Sequence, residues 1–442
     1  SPILVADRLV EFLFLQPADS LHSGDLMIRS AVDGFTSLNF SPRAIDRLLA
    51  LGAAAADSGL PGLHCHGSAP VPPPPRMPTR VGEVIIDGAN ASERLALVRL
   101  LGVSPGDSLD VSRLRSRVRN LAAASEAYEA VWLAPSGHGD TVNLRLILHR
   151  AARRVAGIGV AYDNELGGRM WAGMVDRRLF GRALEGSAAL FLGELRRELS
   201  IGLRRNFQLG RQLINPTATV RIAEEEVRRF DPGGDELPEA KTREGIGFLG
   251  AERRLPHGWE LAAGFEGHTW HEPIRGDRST LGISAAATRA SRSRGRVISA
   301  EVVWTGVYRR AALDATLTTR AGSVRVYPRI RLGWGENLPL QLGLPLGGND
   351  GFPGLHIGER RGDREAMVGV LMATPIKGPL LARLELVGGR SGAGGPFIDS
   401  SGWIAGVRAG IGAETPLGPV RFEYGLATGG RDALFVRLGR WF

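Results

Sequence analysis

The clearest pattern in the chain is an alternation of apolar and polar residues that runs through its last two-thirds, from Ala152 to Phe442. Successive side chains of a β-strand point to opposite faces, so a period of two predicts strands, whereas a helix would scatter the same residues around its circumference. Gly, Pro, Asp and Asn separate about sixteen such windows, and the resulting spacing of about 18 residues per strand and turn is typical of tilted membrane strands.

The alternation gives each predicted strand one polar and one apolar face. In the window from Val324 to Trp334, for example, arginines alternate with Val, Ile and Leu over several successive positions. We predict that the polar faces line the interior of a barrel and that the apolar faces meet lipid. The arginines predicted to face the interior are Arg204, Arg325, Arg329 and Arg331, and the apolar positions opposite them include Leu203, Val326, Ile330 and Leu332.

Closure in a membrane explains a polar face on so many strands better than a soluble sheet does. In water, sixteen strands without intervening helices would need a sandwich or a propeller, and the sequence has no repeat of about 40 residues that would build propeller blades. No run of about 18 apolar residues is present, which excludes a membrane-spanning helix. Aromatic residues make up only 6% of the chain, which is few for two aromatic girdles. We nevertheless predict a mainly β protein with a sixteen-stranded antiparallel transmembrane β-barrel over residues 152–442.

A small segment of mixed α+β character precedes the barrel, over residues 80–151. Its apolar spacing changes from a period of two to the helical period and back again. The order is therefore β-α-α-β-β. The predicted elements are a strand from Val81 to Ile86, helices from Ser92 to Leu101 and from Val111 to Ala124, and strands from Tyr128 to Leu133 and from Thr141 to His149.

A proline-rich stretch separates this segment from the N-terminal part. Pro70 to Pro78 has the sequence PVPPPPRMP, which favours an extended, semi-rigid spacer, and we place a linker over residues 59–79. Upstream, Ser41 and Pro42 are typical of a helix start, and Asp25 to Arg29 is a short strand candidate. One strand and one or two helices bury too little surface for an independent core.

Charge and cysteine content exclude several classes of protein. The chain carries 55 Lys+Arg against 46 Asp+Glu, a net charge of +9, but its arginines are spread along the sequence rather than clustered with stacking aromatics. A nucleic-acid partner is therefore not predicted. Cys65 is the single cysteine, so no intramolecular disulfide and no cysteine zinc cage can form. The chain opens at Ser1 without a charged leader or an apolar signal core, which favours a mature form or a fragment.

Two short motifs invite a catalytic interpretation that their surroundings do not support. Gly102 to Gly106 has the form G-x-S-x-G, and Asp87 begins a D-G-A sequence. A nucleophile elbow needs a strand that runs into the serine and a helix that leaves it, whereas Ser104 follows a predicted helix and precedes Pro105. We therefore predict no catalytic residue in this chain.

Three groups of residues offer metal ligands without a complete set. His64 to His66 are adjacent in the linker, and adjacent residues seldom converge on one metal. His268 and His271 flank Trp270 near the end of a strand window, where we expect a membrane interface or a loop. The acidic run from Glu224 to Glu226 is predicted to lie in a solvated external loop. With no Walker motif either, we predict neither a metal nor a cofactor.

The C-terminal end resembles the closing strand of bacterial outer-membrane barrels, which typically finish on Phe, as this chain does on Phe442. In the BamA/TamA-type outer-membrane superfamily, the loop after the eleventh strand folds back into the barrel through L-G-G followed by V/I-R-G-F/Y. Here Leu346 precedes Gly347 and Gly348, and Phe352 and Gly354 follow, which resembles that motif. Pro353 stands where the family has Arg, so the family's anchoring contact is in doubt.

The preceding segments resemble two further modules. The β-α-α-β-β segment resembles a single POTRA domain, a class that binds extended segments by adding a strand to its sheet edge. Residues 1–58 resemble the end of a patatin-like phospholipase domain, through Asp25 to Arg29, Gly34 to Phe40 and the closing helix from Leu48 to Ala56. The order of modules resembles the patatin-like fusion branch of the superfamily, truncated at its N-terminus.

These resemblances imply three functions, between which the sequence does not decide. In the first, the POTRA domain receives a polypeptide or partner and the barrel anchors or translocates it. In the second, the barrel is the membrane anchor of a patatin-like lipid acyl hydrolase whose catalytic part is missing from this chain. The third is a passive arginine-lined pore that favours anions.

The resemblances also imply a location and partners. The barrel is expected in the outer membrane of a bacterial cell, with residues 1–151 in the periplasm. Its implied partners are outer-membrane lipid, the barrel assembly machinery and a polypeptide at the POTRA edge, and a homo-oligomer is compatible with the sequence.

Overall fold

The computed structural model describes residues 28, 30–32, 35, 42–60, 78–89, 91–124, 128–137, 139–181, 184–205, 207–209, 212–231, 233–255, 258–273, 275–291, 296–394, 402–415 and 418–439. The strand predicted from Asp25 to Arg29, except Ile28, lies outside the described residues, as do the residues from His64 to His66 and the terminal Phe442. The chain forms two compact units, residues 1–76 and 77–442.

The first unit is represented by helix α1, Pro42–Gly59. Proline at the first helical position fits because its missing N–H would have had no partner there. Within the described residues, no helix is both long enough and apolar enough to cross a membrane.

The second unit begins with a small α+β domain. Its elements are β1 (Arg80–Asp87), α2 (Ala91–Leu101), α3 (Val111–Ala124), β2 (Tyr128–Ser136) and β3 (Thr141–Arg150). They follow the predicted order, and the three strands form a sheet in the order β1-β3-β2 with β1 parallel to β3. Apolar residues of both helices pack on one face of the sheet; Leu101 and Leu146 are fully buried there. The apolar spacing that predicted these elements is therefore the spacing that builds the core.

A closed antiparallel barrel follows the α+β domain. β7 and β8 both pair with β9, and β14 and β15 both pair with β16, so each of these pairs of segments forms one strand. The ring therefore has sixteen strands, as the alternation predicted. Its segments are β4 (Arg154–Asp163), β5 (Gly167–Asp176), β6 (Leu184–Gly193), β7 (Arg196–Arg205), β8 (Phe207–Leu209), β9 (Gln212–Phe230), β10 (Glu236–Leu255), β11 (Trp259–Glu272), β12 (Gly276–Ser291), β13 (Arg296–Thr305), β14 (Arg309–Thr316), β15 (Thr319–Ala321), β16 (Val324–Glu336), β19 (Arg364–Lys377), β20 (Leu380–Gly392), β21 (Ile404–Thr415), β22 (Gly418–Ala427) and β23 (Arg431–Gly439), while β17 (Leu344–Leu346) and β18 (Arg360–Gly362) form a separate pair.

The barrel is apolar outside and charged inside. Ile158 and Leu281 are 86% and 80% exposed on the outer face, whereas Asp163 and Glu385 are 0% and 2% exposed on the inner face. This distribution is the reverse of that in a soluble protein, where exposed apolar and buried charged side chains are exceptions. An apolar outer belt around a polar interior is the pattern of barrels that stand in lipid.

The acidic run from Glu224 to Glu226 is not an external loop, as the sequence predicted, but part of β9. β9 and β10 have 19 and 20 residues, more than the roughly 9–11 that cross a membrane. The carboxylate of Glu224 lies 2.8 Å from Lys241 Nζ and 3.0 Å from Arg243 Nε on β10. Such cross-strand pairs stabilise a hairpin in water, so the charged run extends the strand instead of ending it.

The prediction for Trp270 and His268 was also wrong. Both lie on the inner face of β11 rather than at an interface or in a loop, and Trp270 is 4% exposed. His268 Nδ1 lies 3.1 Å from the hydroxyl of Tyr308, and the rings of Trp270 and Tyr308 meet edge to face. Because these rings are buried against one another, the side chains lie on the inner face of the strand.

Candidate functional site

The inner wall of the barrel holds a folded segment, residues 337–363, which we call the lumen loop. It connects β16 to β19, the eleventh and twelfth strands of the ring, and its two legs form the short antiparallel pair β17 and β18. Its leg β17 also approaches the wall, since the hydroxyl of Ser391 on β20 donates to the carbonyl of Leu344, 3.2 Å away. The loop therefore folds back along the barrel wall.

Glycines let the tip of the loop turn tightly and approach the wall. Gly347 and Gly348 have φ of 123° and 87°, and the N–H of Gly348 donates to the carbonyl of Leu355 at 2.9 Å. Gly354 has φ of 74°, and a Cβ there would lie 2.6 Å from the backbone N of Ala427 on β22. These are positions that only glycine occupies without strain.

Phe352 is the apolar contact of the tip with the wall. Its side chain is fully buried and packs with Met367, Val387 and Ile404 of three successive strands. A Cβ on Gly406 would lie 2.7 Å from the Phe352 ring, so the ring rests directly on the backbone of β21. Burial of a Phe side chain contributes about 1.5–3 kcal/mol, which favours the folded-in position of the loop.

The loop's polar anchor is an acidic side chain. Pro353 occupies the position of the arginine in the motif that the sequence resembles, and the loop presents the carboxylate of Asp350. That carboxylate lies 2.8 Å from Arg437 Nη2 on β23 and 3.6 Å from Arg421 Nη1 on β22. The wall thus supplies the guanidinium groups and the loop the acceptor, which answers the question that Pro353 raised.

Backbone carbonyls of the tip extend this contact. Arg408 on β21 donates from Nη1 to the carbonyl of Asn349 at 2.6 Å, and Arg329 on β16 donates to the carbonyl of Asp350. Arg329 Nη1 also lies 2.8 Å from Glu385 Oε1, and Arg408 Nε lies 2.9 Å from Glu385 Oε2. One buried carboxylate on β20 therefore positions both arginines that bind the tip.

Glu165, in the turn between β4 and β5, holds the returning leg of the loop. Its carboxylate accepts from the backbone N–H of Ile357 at 2.8 Å and lies 2.8 Å from His356 Nδ1. Arg228 Nη1 from β9 lies 3.3 Å from the same carboxylate. The loop is thus bound to strands on both sides of the junction between β23 and β4.

The arginines predicted to face the interior lie among polar partners. Arg204 pairs with Glu185 at 3.2 Å, and Arg331 pairs with Glu365 at 3.1 Å. Arg325, Arg329 and Arg331 line one cavity of about 550 Å³ beside the lumen loop, whereas Arg204 does not line it. Sequence analysis missed Asp350, Glu385 and Arg408, which the alternation alone does not distinguish from other polar positions.

The barrel is closed by a seam between its last and first strands. β23 and β4 share three residue pairs, Arg437 with Asp163, Leu438 with Tyr162 and Gly439 with Ala161, within the described residues. The side chain of Asn164 adds hydrogen bonds to the backbone of Val436 and Leu434 at 2.8 and 2.7 Å. Asn164 thus continues the contact between the two strands beyond Asp163.

The α+β domain offers one free sheet edge. β1 is covered at its start by the connector between α2 and α3. The N–H of Val81 donates to the carbonyl of Asp107 at 2.8 Å, and the N–H of Gly106 donates to the carbonyl of Val81 at 2.7 Å. β2 pairs with β3 on one side, and no other strand pairs with it in the part of the chain that the structure describes. Its other side presents unpaired backbone groups, which is the geometry that accepts an added strand.

The motifs that resembled catalytic sites have structural partners. Ser104 lies in the connector between α2 and α3, where its backbone N–H donates to the carboxylate of Asp107 at 2.8 Å. Asp87 pairs with Arg145 across β1 and β3. His271 lies 2.7 Å from Asp277, and the described residues contain no cluster of three or more metal-binding side chains.

Together these features define a class: a sixteen-stranded antiparallel barrel, closed between its first and last strands, with the loop after the eleventh strand folded inside. Solved structures share this fold. BamA from Haemophilus ducreyi lacking POTRA domains 1-3 is similar over 81% of this chain and 84% of its own, with a TM-score of 0.57 and 12% identity. CdiB from Escherichia coli covers 99% of this chain and 96% of its own at a TM-score of 0.54 and 15% identity.

CdiB from Acinetobacter baumannii is similar over 81% of this chain and 74% of its own, with a TM-score of 0.53 and 13% identity. No protein-family model and no curated protein sequence matches the chain. The likeness at these identities is one of fold, and it agrees with the sixteen-stranded barrel that the sequence predicted.

Proposed function

We propose that this protein is a barrel of the bacterial outer membrane that assembles or translocates polypeptides, with the α+β domain acting as a POTRA domain. The observation that supports the proposal is the lumen loop, which lies inside the barrel and is bound to β23 through Asp350 and to the turn after β4 through Glu165. A polypeptide that leaves sideways needs the junction between β23 and β4 to open, and a loop bound on both sides of this junction can control that opening.

The proposal assigns a step to each part. A client strand adds to the free edge of β2, where main-chain hydrogen bonds give affinity without requiring one sequence. The lumen loop, held by Asp350 and Phe352, keeps the interior closed while no client is bound. Parting of β23 from β4 then exposes two strand edges to which a client can pair.

The location follows from the same argument. The apolar belt stands in the outer membrane, and β4 starts on the side of the α+β domain, which is placed in the periplasm. The patatin resemblance of residues 1–58 adds an anchoring role as a proposal of its own, which the presence of the catalytic motifs upstream in the parent gene would test.

Site-specific photocrosslinking in the outer membrane of a Gram-negative host tests the function. Benzoylphenylalanine replaces Glu129 on β2, Leu438 at the seam, or Leu281 on the lipid-facing wall as the matched control. In a pulse-chase experiment we expect discrete polypeptide adducts at 129 and 438 that disappear during the chase, and none at 281. Chased product in the membrane indicates assembly, and product in the medium indicates secretion. Adducts that persist, or that form equally at 281, contradict the proposal.

A further inference from the structure

A cavity of about 390 Å³ lies between the inner wall of β5 to β9 and the returning leg of the lumen loop. Its volume is in the range of sites that bind small molecules. The cavity is lined by apolar side chains as well as charged ones, which sets it apart from the charged interior around the loop tip. The apolar lining consists of Leu166, Trp171, Phe191, Leu195, Val227 and Ile357.

Two aromatic rings form one wall of this cavity. Trp171 on β5 and Phe191 on β6 are direct register partners. A Cβ on Gly173 would lie 2.5 Å from Cζ2 of Trp171, and one on Gly157 would lie 3.1 Å from Cζ3, so the indole lies along the wall over two glycines. Any larger residue at Gly173 would push the ring off the wall. The two glycines thus leave room for the indole, and we call the rings of Trp171 and Phe191 the aromatic platform.

The cavity also contains a guanidinium that no carboxylate binds directly. Arg361 donates from Nη1 to the carbonyls of Leu340 and Gly343 at 3.3 and 3.2 Å, while its buried Nε has no hydrogen-bond partner. Glu225, whose negative charge acts on Arg361, is already bound to Arg196 at 2.6 Å. A buried donor without an acceptor is costly, and an anion placed there would satisfy it.

The other charges around the cavity are matched within the protein. Four arginines and three glutamates line it. Arg169 pairs with Asp163, Arg196 pairs with Glu198 at 2.6 Å, and Arg228 pairs with Glu165 at 3.3 Å. Arg361 is therefore the lining arginine that no carboxylate of the described residues contacts within 4 Å, and it lies in the same cavity as the aromatic platform.

We infer that this cavity is a binding site for a small aromatic anion, whose ring stacks on Trp171 and Phe191 and whose single negative group accepts from Arg361. A flat apolar body matches the aromatic wall, because ring stacking contributes beyond area burial. One negative charge matches the one unmatched guanidinium. The inference does not rest on the proposed function, because it uses neither the seam nor the edge of β2, although Arg361 and Ile357 belong to the lumen loop.

Calorimetric titration of the full chain in detergent with 2-naphthoate and with its neutral isostere 2-naphthamide tests the inference. We expect the acid to bind about tenfold more tightly than the amide, which corresponds to about 1.4 kcal/mol. Arg361→Gln should bring this ratio close to one without weakening the amide more than about twofold. Phe191→Leu, which keeps an apolar side chain but removes the ring, should weaken both compounds about threefold or more.

Arg325→Gln is the matched control, since Arg325 lines the other cavity, and it should leave both affinities unchanged. Equal binding of acid and amide by the unmodified protein overturns the inference, as does an unchanged ratio in Arg361→Gln. If Arg361→Gln does not fold, the acid-to-amide ratio of the unmodified protein and the Phe191→Leu result still decide the question.

Discussion

At the scale of single residues, charged groups hold the lumen loop in place. Asp350 is partly open to the cavity, but its partner Arg437 is 2% exposed, so the ion pair is the contact that neutralises a buried guanidinium. The two residues are 87 positions apart in the sequence. No local sequence pattern distinguishes Asp350 from other polar residues of the loop. The motif around it was therefore predictable, but the anchor itself was not.

Replacing Asp350 should loosen the loop. Asp350→Asn keeps the size and a hydrogen-bonding group but removes the charge opposite Arg437 and Arg421. We expect more frequent and larger current steps in planar bilayers, because the tip leaves the wall more often. Asp277→Asn, which replaces a carboxylate that is 90% exposed at the start of β12, serves as the control and should behave as the unmodified protein. Identical traces for both variants would show that Asp350 does not hold the loop.

At the scale of elements, the period-two alternation predicted the number and faces of the barrel strands well. Ile330 and Arg329 on β16 show why: the former is 37% exposed on the outer wall, and the latter bonds Glu385 inside. What the alternation did not predict was the length of β9 and β10. Their extension depends on pairs between Glu224, Lys241 and Arg243, which become neighbours only after the strands align.

Substitutions on the two faces of β16 should destabilise the barrel for different physical reasons. Ile330→Arg places a charge on the lipid face near the middle of the strand and should cost about 2–4 kcal/mol in the free energy of unfolding. Arg329→Gln should cost about 1–3 kcal/mol, because Glu385 loses one of its two arginines but keeps Arg408. Reversible unfolding in lipid vesicles measures both. A cost near zero for Ile330→Arg would mean that this face does not meet lipid.

Helix α3 depends on its cap. The carboxylate of Asp110 accepts from the N–H of Arg113 at 2.9 Å and from the hydroxyl of Ser112 at 2.8 Å, and the N–H of Arg113 and this hydroxyl lower the pKa of Asp110. Since the folded pKa is below the unfolded one, the capping contribution is present above the unfolded pKa and is lost as pH falls through the folded pKa.

Amide hydrogen exchange of the full chain checks this cap. Asp110→Ala should speed exchange at Arg113 at neutral pH, whereas at a pH below the folded pKa the variant and the unmodified protein should exchange alike. Glu129→Gln, on an exposed position of β2, should change neither rate. An effect of Asp110→Ala that is the same at both pH values would show that the charge of the cap is not what stabilises the helix.

At the scale of the whole molecule, the proposed function depends on the junction between the first and last strands. Sequence analysis predicted the barrel and the place of its inward loop, because both are encoded in local pattern and motif. The register of the seam was not predictable, because it is set only when two strands about 270 residues apart in the sequence meet, as the hydrogen bonds of Asn164 with Leu434 and Val436 show.

A disulfide across the seam tests the central claim most directly. Tyr162→Cys and Leu438→Cys are register partners, at the Cα separation that a disulfide spans, in a background with Cys65→Ser. Leu249→Cys and Phe265→Cys, a lipid-facing register pair on β10 and β11, are the matched control. The measurement is delivery of client polypeptide in the pulse-chase experiment, before and after dithiothreitol. We predict that oxidation stops delivery for the seam pair alone, that adducts at position 129 accumulate, and that reduction restores delivery. Equal delivery by the oxidised seam pair and the oxidised control would contradict the opening of the seam.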